Sequence, residues 1–502
     1  MSFSKVYSAQ TYLLDAHIVT IEVDITKGTL YNFSIVGLPD KAVEEAKDRV
    51  SAAIKNSGFT SPKSTNQKII VSLAPAGMKK EGANFDLGIA LGYLLASEEI
   101  LFDPEHKLFL GELSLDGTLR PITGVLPLVI EARERGFKEV YVPDLNAYEA
   151  ALIDGITIFP VHSFTDIITH FKKETDKESI APHPKTFIEK NIIKPLIDFA
   201  DIREQANAKR GLTIAAAGGH NIALFGPAGT GKTMLAKAFA GILPPLSYEE
   251  VLEVTSIHSV AGALREGLIS APPFRSPHHT ASHVSLVGGG TYPKPGEITL
   301  AHRGVLFLDE FPEFDRRVID SLREPLEEQT VSISRAKGSA RFPADFILIA
   351  ALNPPSETSD LHDEIAERRF SRKVSKPIVD RIDMWIEVPK IDYDALGEKR
   401  VGKSESDTVR KLVCNARTRQ TKRFGKPRLN SRMSTRGIEA HIKLDSQTRT
   451  LLNTAAKNLD LSPRAYHRVL KLARTIADIE NSDNVQQNHI SEALAYRPKM
   501  FL

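Results

Sequence analysis

The chain of 502 residues is 42% hydrophobic and 25% charged, which fits about three globular domains of ordinary size. Its 65 basic and 63 acidic residues nearly balance, so a surface that attracts nucleic acid must be local. The single cysteine, Cys414, excludes an internal disulfide and a cysteine-based zinc or iron–sulfur site. The first residues lack the apolar core of a signal peptide, and no apolar run is long enough to span a membrane. We therefore expect a cytoplasmic protein.

The first part of the chain predicts an α/β unit. A helix is predicted over 40–57, where apolar residues recur at helical spacing. The predicted strands are apolar runs at 18–25, 68–73, 107–110, 139–142 and 157–159.

A second α/β unit is predicted further along the chain. A strand, loop and helix at 221–240 precede buried strands at 304–308 and 346–352, a pattern typical of a parallel sheet. Charged or polar segments predict linkers on both sides of this unit, and helical periodicity follows it. The predicted order is a domain at 1–172, a linker at 173–190, a domain at 191–393, a linker at 394–409 and a helical domain at 410–502.

A glycine-rich loop between an apolar strand and a helix carries the strongest functional signal. Its glycines let backbone N–H groups curl around phosphates, and the start of the following helix adds a favourable dipole. We expect Lys232 to reach the β and γ phosphates of ATP and the Thr233 hydroxyl to hold Mg²⁺. The predicted nucleotide-binding residues of the loop are Gly226, Pro227, Ala228, Gly229, Thr230, Gly231, Lys232 and Thr233.

Polar side chains end two further apolar strands. Asp309 and Glu310 follow the strand at 304–308, where acids are costly unless they meet a cation or a polar partner. We expect Asp309 to bind Mg²⁺ at the nucleotide, and Glu310 to activate the water that attacks the γ phosphate. Asn353 ends the other strand and is expected to orient that water, or alternatively to start the turn at Pro354.

The order of loop, acid pair and polar strand end resembles that of AAA+ ATPases. Further segments resemble the magnesium-chelatase-like group of these ATPases, and within it the YifB/ComM branch. The resemblance implies an AAA+ core, an N-terminal domain with a Lon-protease-like fold and a C-terminal helical subdomain. It also implies a hexameric DNA motor that promotes branch migration in recombination and natural transformation. The segments that carry the resemblance lie at 36–40, 73–77, 111–115, 198–202, 214–221, 274–280, 295–302 and 461–468.

Two arginines gain roles from this resemblance. Arg381 resembles the arginine that such ATPases project into a neighbour's active site, where it stabilises charge on the γ phosphoryl group. The alternative is a salt bridge to Asp380 or Asp383. Arg464 resembles the sensor that contacts the nucleotide of its own subunit, and its alternative is a solvated arginine at a helix start.

The N-terminal domain is expected to lack peptidase activity. Where Lon-like chains place the nucleophile this chain has Asn84 and Phe85, and Pro127 replaces the partner lysine. Serine–lysine catalysis needs both a hydroxyl group and a base. A DNA-contacting or ring-organising module is the interpretation that remains.

Two segments are candidates for contact with DNA. Residues 410–436 contain ten basic residues and no acid, which suits phosphate contacts or, alternatively, a solvated basic helix face. Residues 331–341 alternate like a hairpin with a basic turn. Related motors place such a hairpin in the central pore, so Arg335 and Lys337 are the predicted DNA contacts.

Two features bear on a further metal site. His278, His279 and His283 invite a metal interpretation, but the neighbouring proline and glycines favour a loop or hairpin that faces the ring pore. Residues 354–362 lack the cysteines that many relatives carry, so no metal or redox role is implied there.

The interpretation that best fits these observations is a hexameric, ATP-hydrolysing DNA helicase or translocase that acts on single-stranded or branched DNA. A chelatase-type or chaperone-like ATPase that remodels a protein partner is the alternative. A regulatory module that binds nucleotide without turnover is a third possibility.

Overall fold

The computed structural model describes residues 3–172, 179–188, 197–264, 267–290, 293–335, 338–353, 374–390 and 404–498. The chain divides into two compact units, residues 1–189 with 251–269 and residues 190–250 with 270–502. Among the described helices, none is long and apolar enough to cross a membrane.

The first unit is built on a mixed β-sheet. Its strands are β1 (Phe3–Tyr12), β2 (Asp15–Lys27), β3 (Asn32–Val36), β4 (Gln67–Ala74), β5 (Lys107–Phe109), β6 (Glu112–Leu113), β7 (Leu119–Arg120), β8 (Glu139–Pro143) and β9 (Thr157–Val161). In the described part of the unit, seven of them form a sheet in the order β3-β4-β2-β1-β5-β8-β9. β2 is antiparallel to β1 and β4, and the other neighbours in the sheet are parallel. β6 and β7 form a separate ribbon.

Helices cover both faces of this sheet. They are α1 (Lys41–Asn56), α2 (Asp86–Ala96), α3 (Val125–Glu134), α4 (Asp144–Ala150) and α5 (Phe164–Lys172). Along β8, Tyr141 packs in the apolar cluster that contains α1 and α2, whereas Val140 and Val142 pack in the cluster that contains α3 and α4. α1 matches its predicted bounds because Asp40 caps it, accepting a hydrogen bond from the Val43 N–H at 2.9 Å.

The predicted linker at 173–190 is described only over 179–188. There the His183 N–H donates to the Ile158 carbonyl, and the Thr186 hydroxyl donates to the Tyr148 carbonyl, both at 2.8 Å. These residues therefore belong to the first unit, which the sequence prediction missed.

The second unit contains a parallel sheet and an antiparallel hairpin. Its strands are β10 (Ile222–Phe225), β11 (Phe274–Arg275), β12 (Gly288–Gly289), β13 (Lys294–Pro295), β14 (Val305–Leu308), β15 (Thr330–Arg335), β16 (Gly338–Pro343), β17 (Ile347–Leu352) and β18 (Met384–Glu387). In the described residues the parallel sheet has the order β11-β14-β17-β10-β18. β15 and β16 pair as the predicted hairpin.

Several helices of the second unit share one apolar core with this sheet. Val469, Leu472 and Ile476 lie in the same buried cluster as Leu224 and Ile349. The helices are α6 (Ala206–Gly218), α7 (Lys232–Ile242), α8 (Tyr248–Val260, whose residues from 251 belong to the first unit), α9 (His283–Val287), α10 (Glu297–Leu300), α11 (Arg316–Ser321), α12 (Arg323–Glu328), α13 (Lys376–Val379), α14 (Glu405–Phe424), α15 (Thr435–His441), α16 (Ser446–Asn458), α17 (Pro463–Ile479) and α18 (Gln487–Ala495).

The helical region begins earlier than predicted. α14 starts at Glu405, inside the expected linker at 394–409, because the Ser404 hydroxyl accepts a hydrogen bond from the Asp407 N–H at 3.2 Å. Residues 394–403 of that predicted linker lie outside the described part of the chain. The expected fold class is confirmed: a mixed α/β chain with a helical C-terminal region.

Candidate nucleotide site

The glycine-rich loop connects the end of β10 to the start of α7. Gly226 lies so close to β18 that a Cβ atom would be 2.1 Å from the Val388 carbonyl oxygen, so only glycine fits there. Gly229 and Gly231 have φ angles of 78° and 89°, in the left-handed region that glycine adopts without a steric penalty. The loop therefore depends on its glycines for its curled backbone.

The ammonium group of Lys232 lies within this loop. Its Nζ donates to the carbonyl oxygens of Gly226 and Pro227, both at 2.7 Å. Burial lowers the pKa of Lys232, and the nearby charge of Asp309 opposes that shift. An anion in the loop would meet a cation that is already partly desolvated.

Thr233 and Asp309 lie together beside the loop. The Thr233 hydroxyl donates to Asp309 Oδ2 at 2.9 Å, although the two residues are 76 positions apart in the chain. A hydroxyl and a carboxylate are the hard oxygen ligands that Mg²⁺ prefers. These side chains fit the expected magnesium site.

Parallel strands bring the remaining predicted residues to the same edge of the sheet. β17 lies between β14 and β10, so Asn353, which follows β17, is between the strands that carry the acids and the loop. The Gly226 N–H donates to the carbonyl of Leu352, directly before Asn353, at 3.2 Å. The loop, the acids and the amide therefore follow neighbouring parallel strands at one edge of the sheet.

Glu310 has a partner that the sequence did not suggest. Its Oε2 is 3.2 Å from Nδ1 of His279, and its φ angle of 51° is uncommon for a residue other than glycine.

The other two histidines of the segment have different surroundings. His278 hydrogen-bonds with the Thr280 hydroxyl, and His283 begins a short helix, contrary to the expected loop. Within the described ranges, no three or more His, Cys, Asp or Glu side chains form a metal-binding group.

The two predicted arginines lie at the opposite edge of the sheet, where the strands begin. Arg381 Nη2 and Arg464 Nη2 bind the two oxygens of one carboxylate, Glu327, at 2.7 and 2.8 Å. Burial would raise the pKa of Glu327, but hydrogen bonds from both arginines lower it overall. Asn221, the residue before β10, donates to the Arg381 carbonyl, which places Arg381 at the start of that strand. The partner of Arg381 is therefore neither of the two aspartates considered from the sequence.

This placement does not fit the expected contact of Arg464 with the nucleotide of its own subunit. β10 has four residues, so the two edges of the sheet are about 13 Å apart at roughly 3.3 Å per residue. The glycine-rich loop follows β10, whereas Arg464 is held at the edge that precedes it.

Comparisons with known proteins agree with this architecture. Residues 198–396 match the family described as magnesium chelatase, subunit ChlI, residues 21–146 match subunit ChlI of Mg-chelatase, and residues 403–497 match its C-terminal region. Competence protein ComM of Haemophilus influenzae is 41% identical over 99% of this chain and 98% of its own length. The chain belongs to the magnesium-chelatase-like YifB/ComM family.

Two other relatives extend the comparison of this YifB/ComM chain. The uncharacterized protein YifB of Escherichia coli is 41% identical over 99% of this chain and 97% of its own. The zygotic DNA replication licensing factor mcm6 of Xenopus tropicalis is 25% identical over 39% of this chain and 24% of its own. The comparison with YifB covers nearly all of this chain, whereas the comparison with mcm6 covers 39% of it.

The basic run at 410–436 is not one exposed surface in this YifB/ComM chain. Arg417, for example, donates Nε and Nη2 to the Ala216 carbonyl, and Arg432 pairs with Asp345 at 2.8 Å. The exposed members of the run are Lys411, Lys422, Lys426 and Arg436. The arginines that bond within the unit are Arg410, Arg417, Arg419, Arg423, Arg428 and Arg432.

A cavity of about 1480 Å³ lies at the sheet edge that holds Arg381 and Arg464. Several cations line it, and burial together with the charges of Arg432, Arg428 and Arg464 lowers the pKa of Lys471, although the charge of Asp383 opposes the shift. Acidic residues line the same cavity and neutralise part of this charge: Glu250, Glu327, Glu328, Asp345, Asp380 and Asp383.

The remaining predicted residues can be placed only in part. The backbone of Arg335 ends β15, whereas its side chain and the whole of Lys337 lie outside the described residues. In the first unit, the Asn84 carbonyl accepts from the Gly111 N–H at 3.2 Å, and Pro127 is buried in the first turn of α3. Phe85 is buried beside Asn84.

Proposed function

We propose that this protein is a cytoplasmic, Mg²⁺-dependent ATPase that acts as a hexameric DNA motor, a helicase or translocase. The observation that carries the proposal is the convergence of the glycine-rich loop, the Thr233–Asp309 pair and Glu310 at one edge of a parallel sheet. Ligands of open α/β sheets bind at this carboxyl edge.

Each residue at this edge has a distinct role. The loop N–H groups and Lys232 bind the β and γ phosphates, and Thr233 and Asp309 hold Mg²⁺. The ion, when bound, neutralises charge that develops on the phosphate oxygens. Glu310 accepts a proton from the attacking water, and Asn353 orients that water.

Arg381 and Arg464 act on the nucleotide of a neighbouring subunit. They lie at the edge of the sheet away from their own loop, and Glu327 holds them side by side. When one surface of a subunit meets a different surface of the next, repetition with a closing rotation produces a ring. In the ring, each nucleotide would lie between one subunit's loop and the next subunit's arginines.

DNA as the partner is supported by the family rather than by the total charge. The relative from Haemophilus influenzae is named a competence protein, and the Xenopus relative is named a DNA replication licensing factor. The β15–β16 hairpin carries Arg335 and Lys337, the proposed contacts with single-stranded or branched DNA.

Strand displacement on forked and four-way junctions, with and without Mg-ATP, tests this function. We expect ATP-dependent displacement by the unmodified chain and none by Lys232→Ala, which lacks the ammonium that binds the phosphates. Glu310→Gln should bind ATP and retain it unhydrolysed. Normal ATP turnover by Lys232→Ala would refute the assignment of the site.

The alternative function is a chelatase-type ATPase that remodels a protein partner, because the matching families are described as subunits of magnesium chelatase. DNA affinity distinguishes the two functions. Contacts with several phosphates make binding weaken steeply as salt rises. ATPase activity with no salt-dependent DNA binding would favour the chelatase-type alternative.

A further inference from the structure

A segment that follows the glycine-rich loop in the chain packs inside the first unit. Residues 251–269, which we call the arm, belong to that unit, and all of them except 265 and 266 are described. Leu252 and Leu268 of the arm pack against the buried apolar cluster that contains α3 and α4. The chain therefore passes between the two units three times, whereas a domain attached by one linker would require a single passage.

Ser259 of the arm caps a helix of the first unit. α3 begins after Gly124, which has no side chain to accept from the first N–H groups of the helix. Ser259 Oγ accepts from the Gly124 N–H at 3.0 Å. Glu149 Oε1, on α4, accepts from the Leu126 N–H, also at 3.0 Å. Burial raises the pKa of Glu149, and a hydrogen bond with the Ser259 hydroxyl opposes that shift. The arm and α4 together supply the cap that α3 lacks.

A short and stiff connection joins the arm to α7. α7 begins with Lys232 of the glycine-rich loop. Arg410 holds the other end of α7 by donating Nε and Nη2 to the Gly241 carbonyl at 2.9 and 2.6 Å. Only the five residues 243–247 separate α7 from α8, and two of these are prolines, whose φ angles are fixed. A shift at one end of this connection is therefore passed to the other end.

α8 depends on the first unit for its stability. Isolated helices shorter than about 12–15 residues are marginally stable in water. α8 has 13 residues, and all of them from Val251 onward lie in the arm. If the arm lost its packing, α8 would unwind and the end of α7 would lose a constraint. The glycine-rich loop would then lose more conformational entropy when it orders around phosphates, which weakens nucleotide binding.

We propose that the arm couples the packing of the first unit to the affinity of the glycine-rich loop for ATP, and that Ser259 and Glu149 are positioning residues that hold the arm. A coupling free energy between two sites is reciprocal. ATP in the loop therefore stabilises the cap of α3 by the same factor by which the packed arm raises the affinity for ATP. This inference rests on the proposed binding of ATP by the loop.

Substitutions on both sides of the cap, made in the full-length chain, test this coupling. Ser259→Ala removes the side chain that the arm contributes, and Glu149→Ala removes the side chain that α4 contributes. Glu149→Gln keeps an acceptor oxygen for the N–H group of α3. Gln10→Ala is the matched control, because Gln10 is also buried in the first unit but hydrogen-bonds with residues 79–81 instead of the arm.

Binding of a fluorescent, non-hydrolysable ATP analogue with Mg²⁺ is measured by anisotropy. We expect the Kd to rise at least about 5-fold for Ser259→Ala and for Glu149→Ala, the lower end of the usual range for coupled sites. Glu149→Gln should stay within about twofold of the unmodified protein, because it keeps the hydrogen bond. Gln10→Ala should also stay within about twofold, because it acts independently of the arm.

Hydrogen exchange tests the reverse direction in the unmodified protein, so this measurement needs no substitution in the arm. Saturating analogue should slow exchange of the amides at 124–126 by about 5-fold or more, since the coupling is reciprocal. Lys232→Ala, which lacks the ammonium that binds the phosphates, should show no slowing.

Three results would overturn the inference. Analogue affinity that is unchanged in both Ser259→Ala and Glu149→Ala shows that the arm transmits nothing to the loop. Exchange at 124–126 that is unchanged when the analogue is bound shows the same for the opposite direction. An equal loss of affinity in Gln10→Ala shows that general destabilisation of the first unit is responsible instead. If the unmodified protein binds no analogue, the proposed nucleotide site is itself wrong, and the anisotropy measurement alone identifies that failure.

Discussion

A buried charge cluster stabilises the helix that carries Arg464 at its start. Asp478, near the end of α17, is fully buried and accepts from Arg423 Nη1 at 2.8 Å, Arg474 Nη2 at 3.0 Å and Asn430 Nδ2 at 2.9 Å. Arg474 is itself 1% exposed. The substitution Asp478→Ala would leave these donors without their shared carboxylate.

The expected loss of stability follows from this burial. Removing one partner of a buried ion pair typically costs about 3–5 kcal/mol, because the remaining charge stays in a medium of low polarity. Asp478→Asn keeps an acceptor oxygen but not the charge, so about 1.5–3 kcal/mol is expected. Asp483→Ala is the control. Its carboxylate is 91% exposed and pairs with Arg419, so a loss of at most about 1 kcal/mol is expected.

Tryptophan fluorescence during urea unfolding measures this loss in the relevant unit. The only tryptophan of the chain, Trp385, is 3% exposed on β18 and therefore reports on the second unit. The urea midpoint for Asp478→Ala should fall by about 1–1.7 M if the slope is roughly 3 kcal/mol per M. If Asp478→Ala unfolds at the same urea concentration as Asp483→Ala, the cluster does not stabilise the unit and the reasoning fails.

Three further predictions follow from the two edges of the sheet and from the first unit. Arg381→Ala should bind ATP but hydrolyse it about 10³- to 10⁵-fold more slowly. Mixing it with Lys232→Ala should restore turnover in part, and a failure at every ratio would exclude action between subunits. Gly226→Ala should abolish binding of an ATP analogue, because its Cβ would be 2.1 Å from the Val388 oxygen. If Gly226→Ala binds the analogue as the unmodified protein does, the loop can accommodate the added Cβ atom. Unfolded casein incubated with the protein and ATP should stay intact, and peptide products would contradict an inactive N-terminal domain.

The carboxyl edge of the second unit's parallel sheet could be predicted because the sequence patterns that mark it are local. Each strand there is a continuous apolar run, and parallel pairing brings the ends of such strands to one edge. β1 was not predicted, since Ser4, Ser8 and Gln10 occupy buried positions where the expected alternation requires apolar side chains. Their polar atoms are satisfied by other parts of the first unit, as when Gln10 Nε2 donates to the Lys79 carbonyl at 2.8 Å.

The partners of charged residues could not be predicted from the sequence. Glu327 lies 54 positions before Arg381, within a short helix that gives no local sign of a role. For the basic run at 410–436, the composition suggested a partner outside the protein, whereas many of its arginines have partners within it. Its composition is typical of a phosphate-binding surface, yet Arg423 and Arg432 neutralise acids of the same unit. Composition counts charges, whereas only the fold determines which of them meet a partner inside the protein.

Glu327 gives the two arginines that we propose to act on a neighbour's nucleotide a partner within their own subunit. Arg381 is largely buried beside a cavity that several other cations line, so its charge would be unfavourable without an acidic partner, whereas Arg464 is half exposed. The shared carboxylate provides a partner when no γ phosphate is present, and in the proposed ring the γ phosphate competes for the same arginines. Since α17 and the sheet share one apolar core, a shift of Arg464 toward a neighbour involves the body that holds the glycine-rich loop. In the proposed ring, nucleotide binding at one interface would thereby influence the next site.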